Sequence, residues 1–138
     1  MTAENTPVRL RILLADDNPT FALAVQQFLS TLPGTEVVGV ADNGRAAMAL
    51  AEDLRPDLLL LDIGMPEMNG LEAARRMHLW PDPPLVVFLS MHNGQAYRDA
   101  ASQVGAIGFI SKGDFVDELP AMIKAVETRR TLRRACAQ

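Results

Sequence analysis

The sequence predicts an α/β protein built on one doubly wound parallel sheet. Two observations predict this fold class: five short apolar runs alternate with helical patterns, and prolines or glycines separate them. Strands that alternate with helices through short connections pair in parallel, with right-handed crossovers and helices on both faces of the sheet. The five expected strands are residues 9–15, 36–41, 57–62, 85–90 and 106–110.

The central strand of this sheet is predicted by four consecutive leucines, Leu58–Leu61. Pro56 precedes them and Gly64 follows soon after, so the run is too short for a helix. A continuous apolar run of this length is typical of a strand that is covered on both faces. Asp62 directly follows the run, so we expect this acid to have a role other than that of ordinary surface charge.

The helices between the strands carry start and stop signals. Asn18-Pro19 caps the first helix, whose apolar stripe runs from Phe21 to Leu32 before Pro33-Gly34 ends it. Asp42 or Asn43 caps the second helix, and Asn69-Gly70 opens the third. The fourth helix is expected over about 95–104. The last begins near residue 114 and continues into the arginines of the C-terminal segment.

Length and composition predict one domain. A chain of 138 residues with 49% hydrophobic content can bury one core but not two. We expect a domain over residues 8–135, after a disordered lead (1–7) and before a short tail (136–138). Cys136 is the only cysteine, no apolar stretch reaches the roughly 20 residues of a membrane span, and no signal peptide is recognisable, so we expect a cytoplasmic protein.

Polar residues at the ends of four expected strands predict a functional site. Asp16 and Asp17 follow the first strand, Asp62 the third, Ser90 the fourth and Lys112 the fifth. In a doubly wound sheet, ligands bind beyond the carboxyl ends of the strands where the strand order reverses. Three carboxylates in one pocket repel one another unless a divalent cation compensates their charge. The sequence therefore predicts a metal site, and oxygen ligands favour Mg²⁺.

The chemistry expected of this site is phosphoryl transfer to a carboxylate. One oxygen of Asp62 can attack phosphorus while a cation neutralises the neighbouring acids. The loop after Asp62 contains Gly64 and Pro66, and can bring a backbone carbonyl near the metal. Lys112 can pair with the arriving negative charge, and Ser90 can donate a hydrogen bond to a phosphoryl oxygen.

This pattern of an acid pair, a later aspartate, a serine and a lysine resembles the receiver domain of two-component response regulators. The resemblance covers about residues 8–135 and implies a flavodoxin-like sheet of five parallel strands. It implies that Asp62 is phosphorylated by a sensor histidine kinase or phosphotransfer protein, with Ser90 and Lys112 holding the phosphoryl group. It also implies that Asp17, Asp62 and the Gly64 carbonyl bind Mg²⁺, and that Asp16 acts through water.

The resemblance further implies a conformational switch. In receivers, an aromatic residue three positions before the lysine, here Phe109, turns inward as the hydroxyl residue, here Ser90, moves toward the phosphoryl group. This reshapes the surface of the fourth helix, fifth strand and fifth helix. Gly113 stands where many receivers have a cis-proline, so we expect a trans bond. Met91 is bulky where receivers have a small residue, and we expect it to slow labelling by acetyl phosphate.

The output and two rival functions stay open. The segments 36–41 and 108–112 look like receivers that precede a LuxR-type helix-turn-helix domain, so DNA would be contacted only through a domain that this chain lacks. A stand-alone regulator acting through protein contacts or a homodimer is the alternative. The chain is expected not to be an enzyme, since an Mg²⁺-dependent aspartyl-phosphate phosphatase places a second acid where Gly64 stands. A binding module that works without phosphorylation is the remaining rival.

Overall fold

The computed structural model describes residues 9–137, and the side chains of residues 9–132. The predicted lead, residues 1–7, lies outside this part of the chain. The described elements alternate strictly, and a single turn of 3-10 helix (Lys112–Asp114) precedes the last helix. In chain order they are β1 (Leu10–Ala15), α1 (Pro19–Leu29), β2 (Thr35–Ala41), α2 (Gly44–Leu54), β3 (Leu58–Leu61), α3 (Gly70–His78), β4 (Leu85–Ser90), α4 (Gln95–Gln103), β5 (Gly108–Ser111) and α5 (Phe115–Ala137).

The five strands form one parallel sheet in the order β2-β1-β3-β4-β5. This confirms the doubly wound, flavodoxin-like prediction. The chain moves from β1 outward to β2 and then returns to the other side of β1 with β3, so the order reverses between β1 and β3. The carboxyl ends of these two neighbouring strands deliver Asp16 and Asp62.

The sheet is covered on both faces, and its central strand β3 is apolar at every position. All four leucines of β3 are fully buried. Successive side chains of a strand point to opposite faces. Leu59 and Leu61 accordingly pack with residues of α2 and α3, and Leu58 and Leu60 pack with residues of α1 and α5. Two clusters of buried side chains, one on each face, hold the sheet in place.

Asparagine caps set the starts of three helices as predicted. The side-chain oxygens of Asn18, Asn43 and Asn69 accept hydrogen bonds from backbone N–H groups three residues later, at 3.1, 2.8 and 2.9 Å. Of the two residues predicted as possible caps of α2, Asp42 and Asn43, Asn43 is the cap. Asn18 matters most for the site, because its cap fixes the first turn of α1 beside the acid pair.

The prediction that the first helix continues to Leu32 is wrong. Helix α1 ends at Leu29, although Leu32 still packs against the core. The hydroxyl groups of Ser30 and Thr31 donate to the carbonyls of Gln27 and Phe28, both at 2.6 Å. Serine and threonine hydroxyls that bond nearby carbonyls compete with the helical hydrogen bonds, so this hydroxyl pair favours an early end.

Several expected boundaries shift by one or two residues. Strand β3 is residues 58–61, so Asp62 lies just beyond the strand and not within it, and β5 begins at Gly108, two residues later than expected. Asp57, expected in β3, precedes it and accepts a hydrogen bond from the Arg11 backbone N–H at 2.8 Å. Helix α5 reaches Ala137, so two residues of the predicted tail are helical.

Candidate functional site

The acids of the site are held by backbone hydrogen bonds at the edge of the sheet. The N–H group of Asp16 donates to the carbonyl of Ala41 in β2, and that of Asp62 donates to the carbonyl of Ala15 in β1, both at 2.9 Å. These bonds continue the parallel ladder one residue past the strands. The positions of both aspartates therefore follow from the register of the three neighbouring strands β2, β1 and β3.

Three carboxylates meet at this edge as the sequence predicts. One oxygen from each of Asp16, Asp17 and Asp62 lies within 4.8 Å of the others. Asp16 and Asp62 are buried, with 3% and 5% of their surface exposed, whereas Asp17 faces solvent. One oxygen of Asp16 also accepts the N–H of Asn18 at 2.8 Å, which ties the acid pair to the start of α1.

Lys112 reaches this cluster from the turn after β5. Its Nζ atom lies 2.7 Å from Oδ2 of Asp16 and 3.3 Å from Oδ2 of Asp62. Only 9% of the lysine side chain is exposed. The three carboxylates and the single ammonium leave this group of side chains with a net charge of −2. A divalent cation would cancel that charge.

The balance of charges in the site raises the pKa of Asp62. Burial away from water is the largest cause, and repulsion from Asp16 is the next. Attraction to Lys112, a hydrogen bond from it and the N–H of Gly64 oppose the rise without cancelling it. The ionised carboxylate is thus less favourable here than in water, and a bound cation would relieve this.

The donor set fits a hard divalent cation such as Mg²⁺. The three clustered side chains offer only carboxylate oxygens, which Mg²⁺ prefers, and one side of the cluster is open to solvent through Asp17. The N–H of Gly64 approaches Asp62 Oδ1 at 3.4 Å. The Gly64 residue itself is exposed at the rim, next to the acids.

The loop after Asp62 is folded back tightly onto the end of β3. Gly70 donates its N–H to the carbonyl of Ile63 at 2.9 Å, so the start of α3 lies against the start of the loop. A Cβ atom at position 70 would overlap the backbone carbonyl of Asp62. Met65 and Met68 bury their side chains within this loop. Glycine at position 70 therefore permits the close approach that holds Asp62 in place.

Ser90 ends β4, between the strands that carry Asp62 and Lys112. The residue is fully buried, and its Oγ accepts the backbone N–H of His92 at 3.0 Å. In the neighbouring strand Ser111 is its register partner, and Ser111 Oγ accepts a hydrogen bond from the Asn93 side chain at 3.0 Å. Ser90 therefore sits at the same sheet edge as the acids, with its hydroxyl proton available for donation.

Phe109 lies in β5 and is half-buried. Its ring centroid is 6.4 Å from that of Phe88 in β4, and the guanidinium of Arg98 in α4 covers it at 4.8 Å from the centroid. Arg98 also donates to the carbonyl of Asn93 at 3.2 Å. The predicted switch residue thus contacts both the core and α4.

The two departures from the common receiver pattern have clear structural outcomes. No peptide bond among the described residues is cis, so the Lys112–Gly113 bond is trans as predicted. Met91 is 72% exposed, and its bulk extends into solvent at the rim. His92 stacks on Tyr97 with ring centroids 5.0 Å apart, and its imidazole lies beside Gly64.

The sequence pattern places Phe21 in the apolar stripe of α1 and does not indicate a link to the site. In the structure, Lys112 Nζ lies over the Phe21 ring, 4.6 Å from its centroid. The available signal was its position in the first turn of the helix that follows Asp16 and Asp17. The contact between Arg98 and Phe109 likewise has no local signal in the sequence.

A cleft of about 750 Å³ lies at the opposite edge of the sheet, around Trp80, Arg55 and Arg130. Arg130 forms an ion pair there with Asp57 at 3.1 Å. This cleft lies at the amino ends of β3 and β4, away from the three acids. The chemistry of the acidic site therefore does not involve it.

Comparison with known proteins identifies relatives over most of the chain. Residues 12–124 match the family model for the response regulator receiver domain. The transcriptional regulatory protein DegU from Brevibacillus brevis is 34% identical over 119 residues, which are 86% of this chain and 50% of DegU. A protein-glutamate methylesterase/protein-glutamine glutaminase from Agrobacterium fabrum is 37% identical over 125 residues, which cover 83% of this chain and 36% of that protein.

A solved structure agrees with these matches. A LuxR-family two-component response regulator from Aurantimonas superposes with a TM-score of 0.81 and 30% sequence identity, covering 86% of this chain and 84% of that one. The chain spans only about a third to a half of the length of the two curated relatives above. None of the helices in the described part of the chain is long and apolar enough to cross a membrane. Together, the family match, the sheet order and the cluster of acids show that this chain belongs to the receiver domains of two-component response regulators.

Proposed function

We propose that the chain is a signalling switch in which Asp62 accepts a phosphoryl group from a phosphohistidine of a sensor histidine kinase or phosphotransfer protein. The observation that carries this proposal is the meeting of three carboxylates with Lys112 at the carboxyl ends of β1 and β3. Phosphorylation of an aspartate is typical of the receiver family. Asp62 is the buried acid at the end of the central strand, where its neighbours can act on it from both sides.

The transfer exchanges one phosphorus bond for another. A carboxylate oxygen of Asp62 forms the new P–O bond while the P–N bond to the donor histidine breaks, and the electron pair of that bond returns to the imidazole nitrogen. Asp17, Asp62 and the Gly64 carbonyl would hold Mg²⁺, with Asp16 acting through water. When bound, the cation supplies charge neutralisation between the acids and the arriving phosphoryl oxygens.

Lys112 and Ser90 bind the oxygens of the phosphoryl group once it is attached to Asp62. Lys112 already lies 3.3 Å from an oxygen of Asp62, so a small movement of the ammonium brings it to a phosphoryl oxygen. Ser90 supplies an uncharged donor from the neighbouring strand end. Phosphorylation adds negative charge to a site whose side chains carry −2, and this charge makes the contacts from Lys112 and Ser90 more favourable than before.

The same contacts drive the output. Movement of Ser90 toward the phosphoryl group opens space that Phe109 can enter, and Phe109 would then leave its contact with Arg98. Loss of this contact would change the surface formed by α4, β5 and α5. The equilibrium between the two packing arrangements shifts by the difference in phosphoryl binding between them.

The chain itself acts as a phosphoacceptor and not as a metabolic enzyme in this proposal, and it works in the cytoplasm. Its output is transcription through a DNA-binding domain in a longer parent chain, or protein contacts, including a homodimer, if it stands alone. The relatives carry different outputs, since one is a transcriptional regulator and another a methylesterase. The length of the native reading frame distinguishes these outputs.

Intact-mass spectrometry after incubation with phosphoramidate or acetyl phosphate tests the phosphoacceptor role. We expect one added phosphoryl group on the wild type with Mg²⁺, and none after chelation of the metal. The Asp62→Asn variant should stay unlabelled, while Asp53→Asn, which removes an exposed acid on α2, should label like the wild type. Labelling of the Asp62→Asn variant would contradict the assignment.

A further inference from the structure

The ammonium of Lys112 is enclosed on two sides by different chemistry. On one side lie the carboxylates of Asp16 and Asp62, at 2.7 and 3.3 Å. On the other lies the face of the Phe21 ring, whose centroid is 4.6 Å from Nζ. A cation over the face of an aromatic ring is attracted by the negative potential of that face, and most strongly where water is excluded. With 9% of its side chain exposed, Lys112 meets that condition.

The Phe21 ring is itself fixed by its neighbours. The backbone N–H of Phe21 donates to the side-chain oxygen of Asn18 at 3.1 Å, which holds the first turn of α1. Phe115 packs edge to face against the Phe21 ring, with centroids 5.3 Å apart and an interplanar angle of 78°. Phe28 packs against Phe115 in the same way, at 5.6 Å and 87°. Because Phe115 follows Lys112 by only three residues, the aromatic cluster also anchors the turn that carries the lysine.

The ring face and the carboxylates differ in how they hold the ammonium. A hydrogen bond to a carboxylate is directional, whereas attraction to a ring face depends weakly on orientation. The Nζ atom can therefore turn from Asp16 and Asp62 toward a phosphoryl oxygen without leaving the ring. Without the ring, the four-carbon stem of lysine could place the ammonium in other positions.

We propose that Phe21 is a positioning residue for phosphoryl transfer: its ring holds the Lys112 ammonium over the acidic cluster through a cation–π contact. The inference rests on the function proposed above, and it assigns Phe21 a role that its place in the core does not require. Phe28 has a comparable place in the same aromatic cluster without being the ring under Lys112. It therefore provides a matched control.

The first test compares rates of Mg²⁺-dependent labelling by phosphoramidate. Loss of a cation–π contact worth about 1 kcal/mol corresponds to a rate about fivefold lower for Phe21→Leu. Phe21→Tyr keeps the ring face and should label at nearly the wild-type rate, as should Phe28→Leu. Equal rates for Phe21→Leu and the wild type, or an equal loss in Phe28→Leu, would overturn the proposal.

The second test needs no phosphorylation and so separates this inference from the proposed function. In the unphosphorylated wild type, the ring current of Phe21 should move the ε-methylene proton resonances of Lys112 upfield in the NMR spectrum. The shift should disappear in Phe21→Leu and persist in Phe21→Tyr. An unshifted resonance in the wild type overturns the contact, whereas absence of labelling on a wild type that shows the shift refutes only the phosphoacceptor role.

Discussion

The charge of the acidic site predicts a measurable link between Mg²⁺ and folding stability. The perturbation is Asp62→Asn, which keeps the shape of the side chain and changes the net charge of the four clustered groups from −2 to −1. Without metal, we expect the variant to be more stable than the wild type at neutral pH. The reason is that burial and Asp16 together disfavour the ionised Asp62 more than Lys112 favours it.

The magnitude of the metal effect follows from binding linkage. Mg²⁺ at about 100 times its dissociation constant stabilises a folded protein by about 2.7 kcal/mol. The entropy of unfolding is about 2.1 cal/mol/K per residue, or about 0.3 kcal/mol/K for a chain of 138 residues. The wild type should therefore gain about 9 °C in Tm. Replacing the carboxylate ligand by an amide should weaken binding by about tenfold to a hundredfold, which leaves a gain in Tm of about 1 to 5 °C for Asp62→Asn.

Thermal unfolding followed by circular dichroism, with and without MgCl₂ at constant ionic strength, measures both effects. Asp53→Asn is the charge-matched control, because it removes an exposed acid near the C-terminal end of α2, outside the acidic cluster. This control should gain as much from Mg²⁺ as the wild type does. Equal gains for Asp62→Asn and the wild type would refute the metal site, and a metal-free Asp62→Asn less stable than the wild type would refute the charge argument.

Three further predictions follow from the site. The pKa of Asp62 is raised in the folded protein. The metal-free wild type should therefore lose free energy of unfolding relative to Asp62→Asn as the pH rises from about 4, the pKa of aspartate in the unfolded chain, through the raised pKa of the folded protein. Urea unfolding at several pH values measures this difference. Gly70→Ala should lower the free energy of unfolding by about 1 to 3 kcal/mol and reduce labelling, because the added Cβ would displace the Asp62 carbonyl. Gly113→Ala is the control and should change neither quantity, because the space around its added Cβ is open. Met91→Ala should label faster with acetyl phosphate than the wild type, since the exposed side chain at the rim is shortened; equal rates would contradict this.

Local signals explain why most of the fold was predictable. The four leucines of β3, the prolines between elements and the asparagine caps each act through neighbours only a few residues away in the chain. Parallel pairing then follows from the alternation of strands and helices, so the carboxyl ends of the strands must lie at one edge. For this reason Asp16, Asp17 and Asp62 could be predicted to meet.

Helix and strand ends were less predictable, because different local interactions compete there. At the end of α1, the hydroxyls of Ser30 and Thr31 take carbonyls that a longer helix would use, although the apolar pattern continues to Leu32. The apolar side chain still reaches the core from a turn. A hydrophobic pattern at helical spacing indicates which side chains are buried. Leu32 shows that such a side chain can be partly buried although its backbone is not helical.

The sequence by itself determined which chemical groups gather at the edge of the sheet, since strand ends, caps and charge can be read from neighbouring residues. Only the tertiary structure decided how these groups contact one another. Lys112 lies 50 positions from Asp62 in the chain, and its place between two carboxylates and the Phe21 ring depends on how α1 and the turn before α5 pack against the same face. Such contacts depend on the angles and distances between whole elements, which no local pattern in the sequence encodes.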